Sequence, residues 1–189
     1  MPDIYQLKVT LLETKPPIWR RLLVPTDLIL GKLHDVLQTA MGWHDQHLYA
    51  FHVGKQPYGR PNPDDQWFGF ALPTINDRKV RLDEVLPEVR STLVYTYDMG
   101  DSWEHSVVVE KRLPADPAAA YPVCIGGERA CPPEDIGGIP GFYRFMELLL
   151  SSDEIEREGA HEWVEEDWDP EAFPIDDVNR ALQPRRRKK

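Results

Sequence analysis

The chain has 189 residues, 41% hydrophobic and 29% charged, with 18 prolines and a net charge of −10. That length suffices to bury a core without disulfide or metal staples, and so acidic a body excludes a general phosphate-binding surface, because it repels DNA and RNA. No apolar run approaches the roughly 20 residues that span a bilayer, the opening residues lack a secretory pattern, and the two cysteines, Cys124 and Cys131, cannot build a disulfide framework. A cytoplasmic protein with no membrane partner is expected.

The charge is uneven. Residues 1–120 carry 13 Lys/Arg and 16 Asp/Glu, residues 121–184 carry 4 and 16, and the last five, Arg185, Arg186, Arg187, Lys188 and Lys189, are all basic. Residues 4–12 alternate, with Tyr5, Leu7, Val9 and Leu11 on one side, which predicts a half-buried strand. Lys15-Pro16-Pro17 makes a turn, and Ile18–Val24 predicts a return strand with a mixed pattern at Trp19, Arg20 and Arg21. Leu30, Leu33, Leu37, Ala40 and Met41 keep helical spacing, and Gly42 stands where a C-terminal cap belongs. His47–Val53 reads as a strand. Gln56–Pro73 reads as a long Pro/Gly/Asp loop holding Trp67, Phe68 and Phe70, an aromatic contact for a partner or a cover for the core. Val80–Leu86 reads as a helical turn. Thr92–Tyr97 and Ser102–Lys111 form two strands around the turn Asp98-Met99-Gly100-Asp101, with Trp103, His105, Val107 and Val109 on one face. Residues 112–140 are irregular and rich in proline. A helix follows with Phe142, Phe145, Met146 and Leu149 on its apolar face. The acidic stretch Asp153–Asp169 is helical in part, and Asp176 or Asp177 is placed to cap a last short helix.

This order predicts an α+β fold of the β-grasp (ubiquitin-like) type: a mixed sheet, one main helix, an added hairpin and a C-terminal helical extension. The expected organisation is a core over 1–113, a Pro/Gly-rich loop and acidic extension over 114–184 packed on the same domain, and a disordered basic tail over 185–189.

Several words in the chain are distinctive together. They are Pro17-Ile18-Trp19-Arg20-Arg21, Leu33-His34-Asp35, Gly42-Trp43 with His47-Leu48-Tyr49-Ala50-Phe51, Tyr97-Asp98-Met99-Gly100-Asp101-Ser102-Trp103-Glu104-His105, Cys131-Pro132-Pro133-Glu134-Asp135-Ile136-Gly137-Gly138, and Asp169-Pro170-Glu171-Ala172-Phe173 with Val178-Asn179. Over about residues 4–182 the chain resembles the plasmid pRiA4b ORF-three-like family, some members of which are described as passenger (TnpR-type) proteins of bacterial insertion elements. The resemblance implies a mobile-element or plasmid setting and brings no reaction with it. Met99 stands where the family's turn carries an aromatic.

Asp98, Asp101, His105, Glu134 and Asp135 are the candidate catalytic residues, since Asp, Glu and His serve as general acids, bases and metal ligands. Asp101, His105, Glu134 and Asp135 are the candidate ligands of a divalent metal ion. A plain hairpin sets His105 opposite Val94 or Tyr95, away from Asp98, and the structural alternative is that Asp98 and Asp101 stabilise the turn. Glu134 and Asp135 bind a cation only if further ligands converge on them; otherwise they belong to a rigid loop leading into a helix. His44 and His47 flank a turn and are a further possible chelating pair. Cys124 and Cys131, with six residues between them, lack zinc-knuckle spacing, and nothing in the spacing selects His161 as a partner. Nucleotide-binding loops and the serine-hydrolase elbow are missing from the sequence. The leading expectation is a non-enzymatic protein-interaction module with a protein partner. The alternative is a metal-dependent hydrolase or nuclease built on the Asp/His/Glu cluster. Nucleic acid enters only through Arg20, Arg21 and the tail Arg185–Lys189.

Overall fold

The computed structural model describes residues 2–61, 72–164 and 168–183. Trp67, Phe68 and Phe70 and the tail Arg185–Lys189 lie outside the described residues.

Alternation of apolar and polar residues creates the sheet. Eight strands, β1 (Ile4–Leu11), β2 (Ile18–Pro25), β3 (Tyr49–Val53), β4 (Gln56–Gly59), β5 (Ile75–Asn76), β6 (Thr92–Tyr97), β7 (Trp103–Leu113) and β8 (Val123–Glu128), join in the order β5-β4-β3-β6-β7-β1-β2-β8. Every neighbouring pair is antiparallel except β4 and β5. Among the described residues five α-helices accompany it: α1 (Leu30–Met41), α2 (Leu82–Val85), α3 (Gly138–Leu149), α4 (Glu154–His161) and α5 (Ile175–Leu182). The fold is α+β with an open mixed sheet. The order expected of a β-grasp does not fix this sheet. The β6–β7 hairpin inserts between β3 and β1, and all the central pairings are antiparallel.

Tyr5, Leu7, Val9 and Leu11 of β1 face the core together with Trp103, His105, Val107 and Val109 of β7, and all are buried. Leu30, Leu33, Leu37, Ala40 and Met41 of α1 pack into the same cluster. Gly42 ends α1 in the left-handed region, with φ +94° and its N–H donating to Gln38 O at 2.9 Å; glycine takes this conformation without a Cβ penalty. His34, also buried, stacks on Tyr49 with centroids 3.5 Å apart and bonds the Tyr95 hydroxyl and Asp45 at 2.8 and 2.9 Å. Burial is the largest influence on it and lowers its pKa.

Three strands escape the sequence pattern. β4 and β5 lie in or just beyond the segment read as a loop, and β8 lies in the stretch read as irregular. β8 pairs with β2 and closes that side of the sheet, so the sheet does not stop at residue 113. The capping expectation is corrected: Pro174 holds the N-cap of α5, while Asp176 and Asp177 sit within its first turn, where the helix dipole favours negative charge. Asp153 does cap α4, accepting from the N–H groups of Ile155 and Glu156. Among the described residues no helix is long and apolar enough to cross a membrane.

Candidate functional site

Three loops meet at one end of the sheet: the link from α1 to β3, the β6–β7 turn, and the segment leading into α3. They are tied together through the backbone. The Asp98 N–H donates to Leu48 O at 2.8 Å, and the Gly137 N–H donates to the Asp101 carboxylate at 3.0 Å. Asp101 is therefore a strut between the turn and the α3 loop. Gly138 fits against it only without a side chain: its φ is +66°, and a Cβ there would lie 2.4 Å from Asp101 O.

The meeting point brings His47, Asp98 and Asp135 together. One ring nitrogen of His47 and one carboxylate oxygen from each aspartate lie within 4.8 Å of one another. His47 Nε2 is 3.1 Å from Asp135 Oδ1, and His47 Nδ1 is 3.6 Å from Asp98 Oδ2. The other Asp98 oxygen accepts from the Gly100 N–H at 2.8 Å, the turn role expected of it. Asp98 and Asp135 both hold φ near +60° (57° and 59°), a region Asp tolerates better than most residues. Glu134 does not join the three. It accepts a hydrogen bond from the Tyr97 hydroxyl, which itself accepts from the Gln46 N–H at 3.0 Å. Burial, followed by the bond to Glu134, raises the Tyr97 pKa.

His105 stands elsewhere. It lies opposite Tyr95, as the hairpin register requires, fully buried and edge-on to Trp43 with centroids 5.2 Å apart. Burial pushes its pKa down to about 4, so it is neutral at physiological pH. His44 is exposed and does not share the His47 cluster. Desolvation pushes the thiol of the half-buried Cys131 up to about 12, and burial also raises Cys124; neither is poised as a thiolate nucleophile.

Beside the cluster a cavity of about 710 Å³ opens between the main sheet and the C-terminal helices. Trp43, Trp163, Trp168 and Phe173 supply aromatic walls, and Glu134, Asp169 and Asp177 supply carboxylates. Trp43 donates its Nε1–H to Pro132 O at 3.0 Å and stacks on Tyr97 at 4.9 Å, which holds the Pro132–Gly137 loop in place. Arg20 is the cation of the lining, and it is committed. It is 2% exposed, donates to Ala40 O, Trp19 O and Glu128 O at 2.8–2.9 Å, and lies 3.9 Å from the centre of the Phe173 ring. Burial lowers its pKa. Arg21 points the other way and grips Glu110 at 2.7 and 3.0 Å. The C-terminal words are docking devices: Asn179 brackets the backbone of Cys124 with two bonds, 2.7 and 2.8 Å, and Arg129 pairs with Glu171. Sequence reasoning missed the roles of Trp43, Trp168 and Phe173. The one local signal was Gly42-Trp43, an aromatic placed straight after a helix cap.

Three comparisons agree. Residues 3–177 match the model of the plasmid pRiA4b ORF-3-like protein family. The chain is 35% identical over 182 residues to the uncharacterized protein y4hQ of Sinorhizobium fredii, spanning 95% of this chain and 91% of that protein. It superposes on the crystal structure of a protein of unknown function, MM3350 from Methanosarcina mazei Go1, with a TM-score of 0.83 and 33% identity over 94% of this chain and 98% of that one. On sequence and on fold, the chain belongs to the plasmid pRiA4b ORF-3-like family.

Proposed function

We propose that the protein is a non-enzymatic interaction module that receives a basic, extended segment of a partner protein in its aromatic groove. The observation that carries this reading is the groove's composition. Its walls are aromatic, its polar groups include Glu134, Asp169 and Asp177, and its buried arginine is already bonded to three carbonyls. An aromatic face attracts a cation, and a carboxylate beside it adds a charge-assisted bond. Trp163, Leu150 and Ile155 stand exposed on the same acidic extension at 54%, 85% and 82%, which is apolar surface available for a partner's side chains. The family's name points to a plasmid setting for that partner. The unit from β1 to β7 is read as a β-grasp-type core, supported by its order of hairpin, helix and strands, with β8 and α3–α5 added.

The test is fluorescence anisotropy with a fluorescein-labelled octapeptide of alternating Arg and Leu, against the same peptide with Glu in place of Arg. The Arg peptide binds, weakens as salt rises, and loses most of its affinity to Trp163→Ala. Equal binding of the two peptides, or no binding of either, refutes the reading.

A further inference from the structure

We infer that His47, Asp98 and Asp135 form a site for one divalent cation of the zinc or manganese class. The inference stands apart from the groove reading, since none of the three residues lines the groove. Each ligand arrives on a different loop, and the loops are tied to one another: His47 next to Leu48, whose carbonyl anchors Asp98 in the hairpin turn, and Asp135 in the segment held by Trp43 and Asp101. With bonds of about 2.0–2.2 Å, two ligands of one ion stand roughly 3 Å apart. His47 Nε2 and Asp135 Oδ1 already do, at 3.1 Å, while Asp98 Oδ2 lies 3.6 Å from the other ring nitrogen, Nδ1, within the 4.8 Å span of the three groups, and closes in on the ion when it binds.

Two further features favour a cation over a hydrogen-bonded histidine. First, His47 Nε2 is shielded from solvent and makes no hydrogen bond, even though a carboxylate oxygen is that close. The atoms are near but not aligned for N–H···O, as suits two ligands facing a shared ion. Second, the charge is unbalanced. Asp98 and Asp135 flank this one imidazole, and among the described residues no Lys or Arg forms an ion pair with either of them. The donor set of one imidazole nitrogen and two carboxylates suits Zn²⁺ or Mn²⁺ better than an all-oxygen ion such as Ca²⁺.

The competing arrangement is the histidine held between the two carboxylates with no metal at all. Calorimetric titration of the chelator-stripped full chain with ZnCl₂, and electron paramagnetic resonance with MnCl₂, separate the two. About one equivalent binds, and His47→Ala and Asp135→Asn each weaken it at least about 30-fold, while His161→Ala leaves it unchanged. Asp135 is exposed, so its variant reports even where the His47 change disturbs folding. No binding at millimolar metal, or binding unaltered in both variants, overturns the site and leaves a metal-free polar cluster. Tighter binding of Ca²⁺ or Mg²⁺ than of Zn²⁺ or Mn²⁺ overturns the assigned class.

Discussion

Replacing Arg20 with Met keeps a flexible apolar stem and removes the guanidinium. In the wild-type protein that group satisfies Ala40 O, in the last turn of α1, together with Trp19 O and Glu128 O, and it lies on the Phe173 ring. Ala40 O is among the carbonyls that a helix end leaves without an internal partner, and a cation there also meets the negative pole of the helix. Each buried carbonyl left unsatisfied costs about 1–3 kcal/mol. The three losses share one origin and do not simply add; leaving this group of buried carbonyls without their donor costs about 3–5 kcal/mol in total. For a chain of this size that lowers the melting temperature by roughly 10 °C. Arg20→Lys keeps the charge but cannot reach three acceptors with a planar fork, and is expected to cost about 2 kcal/mol. Urea unfolding followed by tryptophan fluorescence gives both values, and limited proteolysis tests whether segment 168–182 loosens with them. An Arg20→Met protein within about 1 kcal/mol of wild type would refute the view that the fork ties α1, β8 and Phe173 together.

Other expectations follow from the same geometry. Arg21 bonding, with Gln6 assisting, holds the Glu110 carboxyl down to about 2 from an ordinary 4.5. Its folded pKa is depressed, so its stabilisation is complete above about pH 4.5 and disappears as pH falls toward 2. Solvent screening of this partly exposed pair leaves about 1 kcal/mol. Urea midpoints at pH 6, 4 and 2.5 should show Glu110→Gln losing less on acidification than wild type, and parallel losses would contradict the assignment. Gly138→Ala places a methyl against Asp101 O at a positive φ, and a cost above about 2 kcal/mol is expected; unchanged thermal stability would show that the strut yields. Cys131, half-buried with its thiol pushed up to about 12, should react with Ellman's reagent more slowly in the native protein at pH 8 than after denaturation; equally rapid native labelling would contradict that shift.

Local pattern carried much of the fold. The β1–β2 hairpin, α1 with its Gly42 cap, and the β6–β7 register with His105 opposite Tyr95 each follow from a periodicity or turn confined to a short window. β8 was invisible because Val123-Cys124-Ile125-Gly126-Gly127-Glu128 has two glycines and lies just after a proline. Its strand character comes from β2 and from Asn179, far away in sequence. β4, with Pro57 and Gly59, was hidden for the same reason. Among the site residues, Asp98 and Asp135 were legible as polar groups on loops and His47 as one of a flanking pair. Their meeting was not, because it depends on the Asp98–Leu48 and Asp101–Gly137 bonds between loops distant in the chain. Arg20 misled by type: an arginine in a strand reads as surface, and only the three carbonyls around it make its burial tolerable.

The late position of β8 has a consequence for how the protein is made. Synthesis delivers β1, β2, α1, β3 and the β6–β7 hairpin first, the greater part of the core. At that stage β2 offers an open ladder from Trp19 to Leu23, and Arg20 lacks both Glu128 O and the Phe173 ring. An unpaired strand edge is a template for a neighbouring chain. Closure waits until β8 and the Phe173 segment leave the ribosome. The last third of the polypeptide, acidic and proline-rich as it is, therefore guards the emerging sheet against pairing with its own copies.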